Sequence, residues 1–412
     1  MGEYPTPGVY VEERPSQPKP IEGVSTSTAG FIGPCHKGPF KKGTLVTSLA
    51  EFERAYGSGR RLRLDDGVLR PNYTWHAVRA FLKEGGRRLY VARVPRWKAG
   101  DCQKALKCFE TTEEIAIVAA PGSTFGAAGT AIAKALIEHA ERMRYRFAVL
   151  DSGPGQTIEH VRAMRARLTS AKAALYYPWV RVKDPMKAGE LSLPPSGFVA
   201  GIYARADLAR GASKPPAKEV VKLAVGLDHK VTDAEQAGLE AESINCIRSF
   251  GPRAFQIWGG WTLSEDPESK YVNIRRYLTF LEASIDKGTQ WAVFQPNAEP
   301  LWAHIRRTVQ DFLTNEWRSG RLSGTTPEEA FFVKCDHSTM TQADLDHGRL
   351  ICLVGVAALR PAEFVIFRIG QWTAGRPPSH HKRRPRSVRR GPPRVTPPHS
   401  VRGWEALPRQ SR

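Results

Sequence analysis

The sequence has 412 residues, of which 41% are hydrophobic, and a formal net charge of +20. A chain of this length exceeds what one compact core can hold, so we predict two or three domains. No apolar run reaches the roughly 18 residues of a membrane span, and the first residues lack the basic and apolar regions of a secretion signal. These features exclude stable membrane insertion.

The charge is distributed in a way that argues against a nucleic-acid-binding protein. Residues 371–412 hold eleven Lys and Arg residues against one acid, Glu405. The remaining positive charge is spread over the rest of the chain and mixed with acids, as on a solvated surface. We therefore predict no specific nucleic-acid partner. The six cysteines are scattered, which is typical of reduced thiols in a protein assembled in the cytoplasm.

Residues 1–22 predict a strand that needs a partner. Valines alternate with other residues, and prolines on both sides favour extended chain. The strand comprises Val9, Tyr10, Val11, Glu12 and Glu13. A lone short strand is not stable by itself, so it must add to a sheet. That sheet belongs either to its own domain or to a neighbouring subunit.

Residues 23–240 predict an α/β domain with a largely parallel sheet, because apolar strands alternate with amphipathic helices. The predicted strands are 29–33, 89–94, 115–119, 147–150, 174–182 and 198–203. The predicted helices are 48–56, 75–83, 129–143 and 157–170. Residues 205–218 predict a loop.

Residues 241–358 predict a second domain of the α+β class. Its predicted strands are 244–248, 255–263, 290–294 and 350–359, and its two helices carry apolar stripes from Ile274 to Ile285 and from Trp302 to Trp317. Thr326 and Glu329 have the spacing of a capping box. Because Pro361 cannot donate a ladder hydrogen bond, it separates this domain's last strand from the next apolar run.

The chain changes character after this domain. Residues 359–372 predict a terminal strand that includes Glu363, Phe364, Val365, Ile366, Phe367, Arg368 and Ile369. Residues 373–412 are rich in Pro, Arg and His with little to bury, which predicts disorder. This tail is an appendage without a specific role, an out-of-frame or readthrough extension, or a polyanion-binding segment.

Two stretches have an enzyme-like composition. Gly122, Gly126 and Gly129 lie between a strand and a helix, where phosphate loops are found, with Asp151 after the next strand. Their spacing is not that of a dinucleotide or P-loop fingerprint, so we interpret them as a structural turn. Residues 335–337 are Cys-Asp-His, but neighbours along a chain point apart and rarely form a relay. We predict no catalytic residue, cofactor or metal site.

A series of runs in order resembles the sheath protein of contractile tails, the family found in contractile phage tails and related injection systems. These runs are Gly201-Ile-Tyr-Ala-Arg-Ala-Asp207, Asn245-Cys-Ile-Arg248, Tyr271-Val-Asn-Ile-Arg-Arg276, Gly288-Thr-Gln-Trp291, Phe294-Gln-Pro-Asn297 and Pro327-Glu-Glu-Ala-Phe-Phe-Val-Lys-Cys-Asp336. The start, Pro7-Gly-Val-Tyr-Val-Glu-Glu13, is similar to the family's N-terminal arm, and the run after Pro361 to its C-terminal arm.

The resemblance implies a multidomain sheath subunit with an outer α/β domain, an inner C-terminal α+β domain and extended N- and C-terminal strand arms. It implies hexameric rings stacked around an inner tube, between a baseplate and a terminator, with arms that join sheets on adjacent subunits. Contraction would then drive the tube through a target membrane without nucleotide hydrolysis. Assembly would take place in a bacterial cytoplasm, as part of a phage tail or an injection particle.

Basic side chains on the inner domain are candidates for contacts with an acidic tube. They are Arg275, Arg276, Arg306 and Arg307. Solvated helix faces explain any one of them as well. Two other functions stay open, namely an α/β nucleotide-binding enzyme with a tail and a different self-assembling tube or shell component.

Overall fold

The computed structural model of the protein describes residues 20–64, 67–125, 128–251 and 254–363. The helices and strands given below all lie in one compact unit that ends at Pro361. The N-terminal arm strand at residues 9–13, the C-terminal arm residues 364–369 and the tail 373–412 lie outside the described residues.

The described residues form fifteen strands. They are β1 Ala29–Gly33, β2 Gly43–Val46, β3 Leu62–Arg63, β4 Leu69–Arg70, β5 Leu89–Arg93, β6 Ile117–Ala119, β7 Phe147–Asp151, β8 Ala173–Tyr177, β9 Val180–Lys183, β10 Glu190–Leu193, β11 Gly226–Leu227, β12 Ile244–Ser249, β13 Phe255–Trp258, β14 Phe331–Lys334 and β15 Leu353–Val356.

The same residues form eleven α-helices. They are α1 Leu49–Tyr56, α2 Tyr73–Glu84, α3 Ala99–Lys107, α4 Gly129–Arg142, α5 Ile158–Arg165, α6 Ser196–Arg210, α7 Asp233–Ala241, α8 Val272–Gly288, α9 Glu299–Arg318, α10 Pro327–Ala330 and α11 Gln342–Asp346. Ser48 caps α1 by accepting a hydrogen bond from the Glu51 backbone, and Thr232 with Glu235 forms a capping box on α7.

An eight-stranded sheet organises the first two thirds of the chain. Its strand order is β13-β12-β8-β7-β6-β1-β5-β2. The six inner strands are parallel to one another, while β2 and β13 close the two edges in antiparallel pairing. Neighbouring side chains of β1 pack into two different hydrophobic cores. Phe31 belongs to the core that includes α2 and α6, and Ile32 belongs to the core that includes α3 and α4. The predicted α/β class with a largely parallel sheet is confirmed.

The predicted strand 198–203 is wrong, because these residues lie in α6. Residues 196–204 of this helix are all buried, so its sequence shows a continuous apolar run, which looks the same in a buried strand. Glycines let α6 approach α2 closely. A Cβ on Gly201 would lie 2.6 Å from the Phe81 carbonyl oxygen, and one on Gly197 would lie 2.7 Å from the Ala77 Cα.

Three other sequence predictions are corrected. The predicted strand 174–182 is two strands, since Pro178 between β8 and β9 offers no backbone N–H. Residues 290–292 form a 3-10 turn instead of a strand, and Phe294 after it has a left-handed φ of 67° with its ring exposed. Thr326 makes no side-chain cap on α10, because Glu329 accepts hydrogen bonds from the Thr325 backbone and hydroxyl instead.

The sheet continues past the domain boundary predicted at residue 240. Strand β12 pairs with β8 in parallel, with Ile244 opposite Leu175. Leu263 reaches the same sheet, since its backbone N–H donates to the Ala173 carbonyl. The apolar side chains of β12 complete a core that begins before residue 240, so the sheet and this core extend to Leu263.

The C-terminal part is built on α8 and α9. Tyr277 and Leu281 of α8 pack with Val309 and Phe312 of α9 in one core. The two-stranded sheet β14–β15 contributes Val333 to the same core. Half-buried side chains at the ends of the predicted stripes, such as Ile285 and Trp317, line its rim.

Candidate assembly surfaces

The sheet β14–β15 has an unusual surface for a folded domain. It contains two strands among the described residues. Val333 is buried on one face, whereas Phe332, Leu353 and Val354 expose large apolar side chains. A two-stranded sheet with apolar surface is marginal in water and favours the addition of further strands.

The register identifies which backbone groups of β15 face outward. The Ala357 N–H donates to the Ala330 carbonyl, which makes that pair a hydrogen-bonded one. Pairs alternate along an antiparallel ladder, so Val354, opposite Val333, belongs to a non-hydrogen-bonded pair. The N–H and C=O of Val354 therefore point away from β14, toward the outer edge of β15. Among the described residues no strand pairs with this edge.

Helix α8 contacts the two positions, Val24 and Leu359, from which the terminal segments lead away; we call these positions the roots of the segments. Near its C-terminal end, the Ser284 hydroxyl accepts a hydrogen bond of 3.1 Å from the Val24 backbone, and Ile21 packs close to Gly288. Nearer its start, the Asn273 side-chain amide donates to the Leu359 carbonyl at 3.4 Å. Ser284 and Asn273 are eleven residues apart, so the two roots are about 16 Å apart along one helix.

Arg276 lies between these roots and is internal. Its guanidinium forms a pair of hydrogen bonds with the Asp207 carboxylate of α6, the shorter 2.6 Å, and donates to the Thr26 carbonyl at 3.1 Å. The same group lies over the Tyr203 ring. The two charged side chains are only 7% and 4% exposed. The structure therefore gives Arg276 a role within the subunit, and it is not available to a tube protein.

The other three predicted tube-facing arginines are nearer the surface. Arg275 pairs with Glu282 about two turns along α8, at 2.5 Å. Arg306 donates to the Cys335 carbonyl at 2.6 Å, which ties α9 to the end of β14. Arg307, its neighbour on α9, is exposed.

A basic cleft of about 290 Å³ opens where the chain leaves β15. Cationic side chains from α6, from the loop after it, from the turn after α9 and from the segment after β15 line it, namely Arg210, Lys214, Arg321 and Arg360. Glu219 pairs with the first two and Glu316 with the third. Because two carboxylates neutralise only part of the charge of the four basic side chains, the cleft carries a net positive charge.

In the glycine-containing turn before α4, the backbone amide of Gly122 is in use. The Asp151 carboxylate accepts hydrogen bonds from the Ser196 backbone N–H at 2.7 Å, from the Ser196 hydroxyl at 2.8 Å, and from the Gly122 backbone. Burial raises the pKa of Asp151 to about 7, although these hydrogen bonds oppose the rise. Asp151 thus joins the turn to the start of α6 and does not face a ribose.

The Cys-Asp-His run at residues 335–337 makes no relay. Cys335 is buried, and Asp336 accepts hydrogen bonds from Ser338. The His337 ring contacts Trp302 edge-on. The three side chains have separate partners, as neighbours along a chain usually do.

Two family models match the chain. Residues 97–263 match the phage tail sheath protein central domain, and residues 264–371 match the phage tail sheath C-terminal domain. Together these ranges cover most of the sequence. The chain belongs to the phage tail sheath protein family. The boundary between the two family domains follows Leu263, where the large sheet ends in the structure.

Solved sheath structures are similar over nearly their whole length. The helical sheath of the anti-feeding prophage in its contracted state is 30% identical, with a TM-score of 0.75, and the match covers 89% of this chain and 99% of that one. The sheath complex of PVC, an extracellular contractile injection system, also in its contracted state, is 28% identical with a TM-score of 0.75, covering 90% and 99%.

A more distant sheath tail protein, from Desulfitobacterium hafniense, shares the fold at 9% identity, with a TM-score of 0.57 over 79% of this chain and 93% of that one. The comparison with curated protein sequences gives no match. In the described part of this sheath protein, no helix combines the length and the apolar character that crossing a bilayer requires.

Two features of the sheath protein's assembly surfaces were missed from the sequence. One is the internal pairing of Asp207 with Arg276. The position of Asp207 at the end of a family-like run was the sequence signal that could have indicated its structural role. The outward edge of Val354 depends on strand register, which a single sequence does not reveal.

Proposed function

We propose that the protein is the structural subunit of a contractile sheath and that its two arms connect copies by strand addition. The observation that carries this proposal is the open outer edge of β15, together with the anchoring of both chain ends on α8. A strand supplied by another copy would satisfy the outward N–H and C=O of Val354 and cover Phe332 and Leu353. The donated strands are residues 9–13 and 363–369.

The basic cleft supports a position for the N-terminal arm. The arm carries the acidic pair Glu12 and Glu13, and Arg14 is its first base. The cleft adjoins the chain that leads out of β15 and has an excess of two positive charges. A neighbouring copy's acidic pair fits this cleft when its strand runs along the sheet.

The remaining details follow from the family and from the relatives. We propose hexameric rings stacked around an inner tube, with assembly in a bacterial cytoplasm between baseplate and terminator proteins. Two relatives are contracted sheaths, which supports a contraction driven by new contacts between subunits. We infer that no nucleotide is hydrolysed, and the use of the Gly122 amide by Asp151 supports this.

Arg275, Arg306 and Arg307 stay as proposed contacts to an acidic tube. The double variant Arg306→Glu, Arg307→Glu tests this, with Arg318→Glu on the same helix as a control. We expect the double variant to lose sheath assembly around the co-expressed tube protein and the control to retain it. Unchanged assembly of the double variant would show that these arginines of α9 do not contribute to binding of the tube.

The first test of the arms is negative-stain microscopy of the full chain expressed alone and with the tube protein. A variant lacking residues 1–13 is compared with a variant lacking residues 373–412. We expect tubes or ring stacks from the full chain and from the tail deletion, and dispersed particles from the arm deletion. Tubes from the arm deletion would contradict strand donation by the N-terminal arm.

A second test addresses the edge itself. Val354→Pro removes an outward N–H but no hydrogen bond to β14, whereas Val354→Ala keeps that donor. We expect Val354→Pro to remain folded by circular dichroism and to lose assembly, while Val354→Ala assembles. Equal assembly by both variants would show that the β15 edge is not the acceptor.

A further inference from the structure

Two cysteines face each other at the end of the sheet β14–β15. The register that pairs Lys334 with Leu353 places Cys335 directly opposite Cys352. The thiols of both residues are free, and they hydrogen-bond to each other. Among the six cysteines of the chain, this is the pair that the sheet register brings into juxtaposition.

The alternation of the ladder also sets the spacing of this pair. Because Ala330 and Ala357 form a hydrogen-bonded pair, Cys335 and Cys352, five positions along, form a non-hydrogen-bonded one. Such pairs have Cα atoms about 4.5 Å apart, which lies within the range of about 4.4–6.8 Å found in disulfides. The Cys335 carbonyl accepts a hydrogen bond from Arg306. This agrees with the assignment, because the backbone groups of a non-hydrogen-bonded pair point away from the partner strand.

We propose that Cys335 and Cys352 are a site of oxidative modification, at which a disulfide oxidant converts the two thiols to an intramolecular disulfide. The half-exposed Cys352 attacks oxidised glutathione as its thiolate, forming a mixed disulfide and releasing one glutathione. Cys335 then loses its proton and attacks the Cys352 sulfur, which releases the second glutathione. Two protein thiols are oxidised, and one glutathione disulfide is reduced to two thiols.

The environment of the pair determines when this reaction occurs. Burial raises the pKa of Cys335 to about 12 and raises the pKa of Cys352, so little thiolate forms at neutral pH. The pair therefore stays reduced in a reducing cytoplasm and is oxidised on longer exposure to an oxidising medium. The new bond closes the loop of residues 336–351 around α11 and stiffens the base of the β15 edge.

The test uses the full chain incubated at pH 8 with oxidised glutathione. Remaining thiols are alkylated under denaturing conditions, and linked peptides are identified by mass spectrometry. We expect a 335–352 link, two fewer alkylated thiols per chain, and a rise in Tm on the order of 5 °C that dithiothreitol reverses.

Two variants make the result specific. Cys352→Ser, a change at a half-exposed position, should abolish the link and the rise in Tm. Cys108→Ser, at the other half-exposed cysteine, should retain both. Six alkylated thiols after prolonged incubation, a stable glutathione adduct on Cys352, or a link between other cysteines would overturn the proposal.

Discussion

Arg276 of α8 and Asp207 of α6 form a buried ion pair, with the shorter N–O distance 2.6 Å. The pair joins the two family domains, because Asp207 belongs to the central domain and Arg276 to the C-terminal one. The hydrogen bond from Arg276 to Thr26 adds the chain that leads to β1. Three segments distant in sequence meet at one guanidinium.

Removing one partner of this pair should destabilise the protein strongly. Arg276→Met leaves the Asp207 carboxylate buried without its main partner, and we expect a loss of about 3–5 kcal/mol in the free energy of unfolding. Arg275→Met, on the same helix, breaks the more exposed pair with Glu282 and should cost less than about 1 kcal/mol. Urea denaturation of the full chain measures both. Similar losses for the two variants would show that the buried pair contributes no more to the free energy of unfolding than the exposed one.

The close contact between α2 and α6 predicts a second stability effect. Gly201→Ala places a methyl group against the Phe81 carbonyl, and we expect a loss of about 1–3 kcal/mol. Gly100→Ala in α3 meets no atom within 4 Å and should be neutral or stabilising by up to about 1 kcal/mol. The Tm of Gly201→Ala should therefore fall, while that of Gly100→Ala stays the same or rises. A stable Gly201→Ala protein would mean that the helices can separate without cost.

The Asp151 carboxyl should make stability depend on pH in the neutral range. Its pKa is raised from 3.8 to about 7 in the folded protein, so the folded state binds more protons than the unfolded state between these values. Stability from this group is complete below about pH 4 and is lost as the pH rises through about 7. We expect the free energy of unfolding of the native protein, minus that of Asp151→Asn, to fall between pH 4.5 and 7.5. A difference that is constant with pH would contradict the raised pKa.

His139 should make the stability depend on pH with the opposite sign to Asp151. Burial, with Arg146 and Arg142 nearby, lowers its pKa from 6.5 to about 3. The unfolded state therefore takes up the proton first, and stability is lost as the pH falls from about 6.5 toward 3. His139→Gln keeps a neutral acceptor for Arg146 and should flatten the acid side of the stability profile. His160→Gln, at an exposed position, is the matched control, and equal stability profiles for the two variants would refute this prediction.

The sequence predicted the large sheet well where local pattern and tertiary environment agree. Strand β1 has the predicted bounds, and Ser48 caps the helix predicted after it. Helix α6 was missed because its residues 196–204 are all buried, so that no polar face marks the helical period in this part of the sequence. The sequence did not show that β12, beyond the boundary predicted at 240, pairs with β8, a strand about 70 residues earlier in the chain.

The candidate assembly surfaces were predictable only in part. The family-like runs indicated the arms, and the valines at 9 and 11 indicated a strand in need of a partner. The burial of Arg276 was not visible, because an arginine on an amphipathic helix has the same spacing whether it meets solvent or an acid from another helix. The Cys335–Cys352 pairing required the register of β14 against β15.

The anchoring of both chain ends on α8 has a mechanical consequence. A pull applied to the segment at Val24 reaches the segment at Leu359 through Ser284, a stretch of helix, and Asn273. This part of the load passes through roughly three turns of helix, in parallel with the covalent path from Val24 into β1. Helix α8 is thus a short mechanical route between the two ends of the described chain.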